Sequence, residues 1–274
     1  MARLGIHAEP VVWDTSGTAW ERFDAVVIRS CWDYHTRLGE FTAWLDRVGQ
    51  VGVPVWNPPA LLRWNADKTY LRDLAARGIP IVPTRWVSRG EATSLAQVLA
   101  AARWSEAVVK PAVSAAAFHT WRVSRAEAEA AATRFQALVA TRDVLVQVFL
   151  PEIERSGEWS FCFFGGIYSH AVVKRPRPGE FRVQEAHGGT AQAARPGPAL
   201  VAQAEAVIAA LPGPTVYARV DACQVDGRLC LMELEALEPS LFLDQEPRAP
   251  DRFAAAIAAT RLHPRPGVSS SPKP

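Results

Sequence analysis

Between Glu40 and Val51, Phe41, Trp44, Leu45 and Val48 recur at the spacing of one helical face, and the intervening positions are polar or small. The short apolar runs Val11-Val12-Trp13 and Ala25-Val26-Val27-Ile28 read as buried strands, and Val53-Pro54-Val55-Trp56 as a further strand ended by Asn57-Pro58-Pro59. Strands alternating with a helix predict a small parallel α/β lobe. Asn65 is a predicted N-cap; Tyr70, Leu71, Leu74 and Ala75 follow on one face and Gly78 stops the helix, which puts Lys68 in its first turn. Next come a helix over 93–103, a strand over 106–110, a small-residue loop at 112–118, a strand at 120–123, an alanine-rich helix at 124–140 and a strand at 144–150, a second lobe. Runs at 160–164 and 167–174 flank Gly165-Gly166 and predict a hairpin. His187-Gly188-Gly189-Thr190 reads as a loop and 198–211 as a helix. Runs at 216–225 and 229–235 flank Asp226-Gly227, a stronger hairpin signal. A last helix is expected at 251–261, then a Pro/Ser-rich tail at 263–274, expected to be disordered.

Composition narrows the class. The chain has 274 residues, of which 49% are hydrophobic and 21% charged, enough to bury a core. A net charge of +2 argues against an extended nucleic-acid footprint. No run is long enough for a membrane helix, and the N-terminus lacks the apolar stretch of a secretory signal, so a cytoplasmic protein is expected. Cys31, Cys162, Cys223 and Cys230 show no CxxC spacing and read as free thiols. The six histidines form no visible constellation; His187, beside two glycines, is the one to watch.

Charge chemistry adds more. Of 30 Lys and Arg residues only Lys68, Lys110, Lys174 and Lys273 are lysines. A compact ammonium and a planar fork are not interchangeable where one phosphate oxygen must be reached in a tight space, so Lys68, Lys110 and Lys174 suggest a polyphosphate site, against the plain alternative of solvated side chains. Lys273 lies in the tail and is expected to stay away from that site.

Asp221, Glu233, Glu235 and Glu238 crowd the second hairpin among apolar neighbours. Carboxylates in such a strand are costly unless paired or bound to a cation, and several oxygen ligands suit Mg²⁺ shared with substrate phosphates. Glu233 and Glu235 share a face by the period of two. Whether Asp221 joins them depends on register. A two-residue turn sets Cys223 opposite Cys230 and turns Asp221 away; a three-residue turn with Gly227 in a bulge brings Asp221 round. The bulged turn is the expectation, and paired cysteines would count against a three-carboxylate site. The alternative is a charged edge strand whose carboxylates meet arginines.

Taken in order, Asp67-Lys-Thr-Tyr-Leu71, Val109-Lys-Pro111, 144–151, Gly157-Glu-Trp-Ser160, Lys174-Arg-Pro176, Arg182, Gly188-Gly189 and Asp221…Glu233-x-Glu235 resemble an ATP-grasp enzyme of the glutathione-synthetase-like type. The segments 29–35, 64–71 and 232–242 look most similar to the branch containing the cyclo-ligase of cycloserine biosynthesis, which acts on O-ureido-D-serine. The resemblance implies an α/β fold of three lobes with ATP between the central and C-terminal ones. These would be an N-terminal pre-ATP-grasp lobe at 1–82 lacking a first strand, a central lid lobe at 83–152 and a C-terminal lobe at 153–262. It further implies that Lys68 and Lys110 approach the phosphates and adenine N7 side. Gln147, Val148, Phe149 and Leu150 would form the adenine hinge, and Glu158 would hold the ribose. Lys174 and Arg182 would face the γ-phosphate and acyl phosphate, and Asp221, Glu233 and Glu235 would hold two Mg²⁺.

Arg29, Trp32, Asp33 and Tyr34 follow a strand end, where α/β lobes place ligand groups. Arg29 could clamp a carboxylate and Asp33 an amino group; a capped loop with a packed Trp is the alternative. Gly188 and Gly189 are assigned to the substrate side as well. The family's phosphate-covering loop is commonly glycine-rich, whereas Ser114-Ala-Ala-Ala-Phe118 has no glycine; alanine takes left-handed angles only at a cost, and the loop can still close if they are not required. The expected activity is ATP-dependent carboxylate–amine ligation through an acyl phosphate on an amino-acid-like molecule, intramolecular closure included. The alternatives are an ATP-binding protein of this fold without turnover, or a kinase. The oligomeric state, homo-oligomer included, stays open.

Overall fold

In the computed structural model, which describes residues 1–260, the first lobe is built on two parallel strands, β1 (Val26–Val27) and β2 (Val55–Trp56). Helix α1 (Leu38–Gln50) connects them and buries Phe41, Trp44, Leu45 and Val48, the face predicted from spacing. The run at 11–13 is not a strand. Val12 is 65% exposed and only Trp13 is buried, its ring edge-on to Phe41 at 5.5 Å and to Trp44 at 6.0 Å. Where one helix is expected from Asn65, two form: α2 (Pro59–Ala66) and α3 (Tyr70–Ala76). Proline at the first helical position starts α2, because the missing N–H would have been unpaired there anyway. Asn65 thus ends α2 instead of capping α3, and Lys68 lies in the link between them.

The central lobe is a four-stranded antiparallel sheet ordered β3-β6-β4-β5, from β3 (Thr84–Val87), β4 (Glu106–Pro111), β5 (Trp121–Ser124) and β6 (Val144–Val148). Helices α4 (Leu95–Ala102) and α5 (Ala132–Val139) cover one face through Leu95, Leu99, Phe135 and Leu138. A Ser94/Gln97 capping box starts α4. The alanine-rich run is shorter than expected: residues 125–127 form a 3₁₀ turn before α5.

The third lobe holds α6 (Glu152–Arg155), β7 (Glu158–Phe164), β8 (Ile167–Arg175), β9 (Thr190–Ala194), α7 (Pro198–Ala209), β10 (Tyr217–Val225), β11 (Arg228–Glu235) and α8 (Ala249–Ala259). Its five strands run antiparallel in the order β11-β10-β7-β8-β9. Phe161, Phe163, Val220 and Leu234 point to one face, where α7 and α3 cover them. The other face carries the charges. The predicted tail and Lys273 lie outside the described residues.

The hairpin register overturns one expectation. Asp226 and Gly227, with φ of 49° and 80°, make a two-residue turn, and Cys223 stands opposite Cys230. The one-residue shift comes farther along the ladder: Ala222 opposes Leu231 whereas Asp221 opposes Glu233, leaving Met232 as the extra residue of a bulge. Beside it, the Leu231 N–H donates to Pro80 O at 2.8 Å and the Val82 N–H to Leu231 O at 2.9 Å, so the 80–82 link runs along the bulged edge. Paired cysteines and a shared carboxylate face therefore coexist.

Two buried asparagines fasten the first lobe to the end of this hairpin. Asn57 Nδ2 donates to Tyr217 O and Ala236 O at 2.8 and 2.7 Å, and Asn65 Nδ2 donates to Leu234 O at 2.7 Å while its Oδ1 accepts from Ala236 N–H. Each satisfies backbone groups that leave the ladder there. Among the described residues, no helix is long and apolar enough to cross a membrane.

Candidate active site

A cleft of about 690 Å³ lies between the central and third lobes, closed at one end by the first. Strand register supplies its floor. Asp221 is paired with Ser160 on one side and Glu233 on the other, and Glu158 with Lys174. Directly opposed residues share a face, as do residues two apart, so Glu158, Ser160, Lys174, Arg219, Asp221, Glu233 and Glu235 all project from one side.

The charges interlock. Lys174 Nζ lies 2.5 Å from Glu158 Oε1 and 3.3 Å from Asp221 Oδ2. Arg219 Nη2 lies 2.7 Å from Asp221 Oδ2 and also reaches Glu235. Lys68 Nζ is 3.1 Å from Glu233 Oε1 and donates to Ser114 O in the covering loop. Burial pushes the Asp221 carboxyl up, but Arg219 and Lys174 overcome this and hold it below its ordinary value. Glu233 is likewise raised by burial and, on balance, held low by Lys68 and Lys110. Glu235 moves the other way, up to about 7, because burial together with Asp221 and Glu233 outweighs Arg219. Burial would lower Lys174, yet Asp221 and Glu158 keep it above its usual value. Lys110, 8% exposed on β4, is lowered by burial and has no carboxylate within ion-pair distance among the described residues.

The donor set Asp221, Glu233 and Glu235 suits a hard divalent cation in chemistry. As the side chains stand, no three carboxylate, His or Cys groups among the described residues are disposed around one ion, because Lys68, Lys174 and Arg219 hold the oxygens.

The opposite end of the cleft is apolar, lined by Val82, Val108, Val148, Leu150, Ile153 and Met232. Gln147 borders it and donates to Thr84 Oγ1 at 3.0 Å. Phe149 turns away: its ring lies under the Arg122 guanidinium at 3.6 Å, and its N–H donates to Glu106 O. Arg182 lines the cleft and pairs with Glu180 at 2.6 Å, which holds the Glu180 carboxyl down at about 2.

The first lobe contributes Arg29, Trp32 and Tyr34. Arg29 Nη2 donates to Pro239 O at 2.9 Å and its guanidinium sits 5.0 Å from the Tyr217 ring centre. Asp33 does not reach the cleft; it accepts from Trp13 Nε1 at 3.1 Å and pairs with Arg37. Gly188 and Gly189 also stay outside it. Gly188 has φ of 81°, and a Cβ on Gly189 would lie 2.1 Å from Val183 O, so the pair shapes the bend that carries 182–185 to the cleft. The covering loop does take left-handed angles. Ala116, Ala117 and His119 take φ of 49°, 58° and 50° without any glycine. The Phe118 ring packs 5.0 Å from His35 with Arg142 over it at 5.6 Å, contacts that offset part of a strain of about 1–2 kcal/mol per left-handed residue.

With this geometry in hand, likeness to known proteins becomes informative. Residues 1–57 match the family model "D-cycloserine synthetase DcsG, N-terminal domain". The cycloserine biosynthesis protein DcsG of Streptomyces lavendulae is 36% identical over 273 residues, 95% of this chain and 91% of that protein. The chain belongs to the D-cycloserine synthetase family of ATP-grasp ligases. A crystal structure of D-cycloserine synthetase DcsG superposes with a TM-score of 0.86 over 95% of this chain and 91% of that one, at 36% identity. A D-alanine–D-alanine ligase from Bacillus anthracis complexed with ATP has the same fold, with a TM-score of 0.65, 18% identity and coverage of 88% and 80%. As a family member the chain is an ATP-dependent ligase that forms a C–N bond.

Two cleft residues escaped the sequence assignment. Arg219 was legible in principle: Arg219-Val220-Asp221 alternates on a strand, so the guanidinium must share a face with Asp221. Glu238 was noticed among the acidic residues but given no place, since it lies beyond β11.

Proposed function

We propose that the cleft binds ATP with its purine at the apolar end and its phosphates over the charged floor, and that it activates the carboxylate of an amino-acid-like substrate for ring closure, O-ureido-D-serine being the candidate. The supporting observation is the interlocked floor, in which ammonium groups from three lobes face carboxylates aligned by the bulge. Gln147, Val148 and Leu150 would border the purine, and Glu158 the ribose. Lys68, Lys110, Lys174 and Arg182 would meet phosphate oxygens, Arg219 would hold Asp221 and Glu235 in place, and Arg29, Trp32 and Tyr34 would wall the substrate.

A carboxylate is a poor electrophile. Transfer of the γ-phosphoryl to one of its oxygens gives an acyl phosphate and ADP; a nitrogen of the same molecule then attacks the acyl carbon, and phosphate leaves as the C–N bond forms. The side chains position the γ-phosphate and neutralise developing charge, and no covalent nucleophile is required. Asp221, Glu233 and Glu235 would hold Mg²⁺, two ions in this reading, which would supply Lewis-acid charge. Each ion pair in the floor then has a partner to exchange: carboxylates for the metal, ammonium groups for phosphate. A glycine-free loop favours a protein without turnover, and its left-handed alanines weaken that argument.

Incubation with ATP, Mg²⁺ and candidate amino acids should release ADP only when an accepted substrate is present, with a ring-closed product by mass. ATP binding with no ADP release above background on any of them would leave the non-catalytic reading. A second measurement probes the phosphate assignment. Lys110→Arg keeps the charge but puts a larger fork into a buried site, at a cost of about 1–3 kcal/mol. Calorimetry with a non-hydrolysable ATP analogue should then show binding weakened by about tenfold or more; unchanged affinity would remove Lys110 from the phosphate site.

A further inference from the structure

Among the cleft carboxylates that are buried or half-buried, Glu238 is the exception. Glu158, Asp221, Glu233 and Glu235 each have a lysine or arginine partner. Glu238 is 7% exposed and lines the cleft, yet no cation lies within ion-pair distance of it among the described residues. Its backbone is fixed from the first lobe, since Trp32 Nε1 donates to Glu238 O at 3.1 Å and Arg29 Nη2 to Pro239 O at 2.9 Å. Trp32 and Tyr34 line the same end of the cleft. A carboxylate held out of water, with no cation beside it and with aromatic rings lining the same end, suits a small organic cation.

Resting on the ligase reading above, we infer that Glu238 is a specificity-determining residue that receives the α-ammonium group of the substrate, against a wall formed by Trp32 and Tyr34. Burial, then the Glu235 and Glu233 carboxylates, push Glu238 up to about 8, with Lys68 opposing, so this corner gains from positive charge. The chemistry also favours the assignment. In a ring closure the carboxyl group reacts with a nitrogen elsewhere in the molecule. An α-amino group paired with a carboxylate stays protonated, and it fixes the carboxyl group at one distance from Glu238. Asp33, the sequence candidate for this role, is committed to Trp13 and Arg37.

The test is calorimetric binding to the full chain with Mg²⁺ and a non-hydrolysable ATP analogue. The probes are O-ureido-D-serine, D-serine, D-alanine and glycine, together with the 2-hydroxy counterpart of O-ureido-D-serine. Glu238→Gln, an isostere, should weaken the amino compounds by about 30-fold and the 2-hydroxy compound by less than threefold. Glu238→Asp should retain part of the preference, and affinity for the ATP analogue alone should not change. Equal losses on both compound types, no loss on either, or a wild-type chain that binds none of the amino compounds would each overturn the inference. ADP release by the wild-type chain, measured separately, tells that failure from failure of the ligase reading.

Discussion

Glu233→Gln should lower kcat by about 10³-fold while binding of Mg²⁺-free ATP becomes tighter. Glu233 faces Asp221 across the bulge and is paired with Lys68 at 3.1 Å, and its side chain keeps 29% of its surface open to the cleft. The amide has the same shape and still accepts a hydrogen bond from Lys68, so the fold should persist. What disappears is one negative charge where a divalent ion and the γ-phosphate would meet. Removing one preorganised electrostatic partner of a transition state typically costs about 10²–10³ in kcat, and a charged ligand belongs at the upper end. In the resting cleft that charge holds the Lys68 and Lys110 ammonium groups and repels phosphate. Its loss should leave both cations freer for ATP when no metal is present. Misfolding would weaken binding and turnover together, so titration of ATP in EDTA beside a kcat measurement separates the two explanations. Unchanged turnover would remove Glu233 from the reacting centre.

The hairpin containing Glu233 also marks how far the sequence could be read. Period-two spacing put Glu233 and Glu235 on one face, and that local rule held. Placing Asp221 needed the register of a ladder, which one extra residue anywhere along it can reset. The bulge fell at Met232, beside the 80–82 link, where no turn residue announces it. Asn65 shows a related limit. As a residue type it suits an N-cap, but two backbone groups at the end of β11, Leu234 O and Ala236 N–H, engage its amide, a demand that exists only once the lobes meet. β9 was missed because Thr190–Ala194 is small and largely exposed, an edge strand without an apolar pattern. The α1 face and both glycine-marked hairpins were legible because their signals are local. In the cleft, Lys68, Lys110 and Lys174 stood out through the scarcity of lysine. Glu238 and Arg219 needed three-dimensional neighbours before their charges meant anything.

Lys174→Met should separate stability from catalysis through pH. Lys174 is 6% exposed, and its ammonium is the ion-pair partner of Glu158 and one of two for Asp221. Asp221 would keep Arg219 and the Ser160 hydroxyl, whereas Glu158 would be left buried and unpaired. Burial already raises the Glu158 carboxyl above its ordinary value, with Lys174 the main force pulling it back. Without that force the folded-state value rises further. A carboxyl raised in the folded state keeps its proton there while the unfolded chain loses it, so its contribution to stability is present below the unfolded value and is lost as pH rises through the folded one. The variant should therefore be close to wild type near pH 5 and fall behind it by about 3–5 kcal/mol near pH 8, the usual cost of an orphaned buried charge. Urea midpoints across that range check this. Turnover should behave differently. If the ammonium meets the γ-phosphate, kcat should fall by about 10³-fold at every pH, because protonating Glu158 restores the fold but supplies no positive charge to the transferring group. Recovery of activity at low pH in step with stability would instead make Lys174 a counter-ion of Glu158 and nothing more.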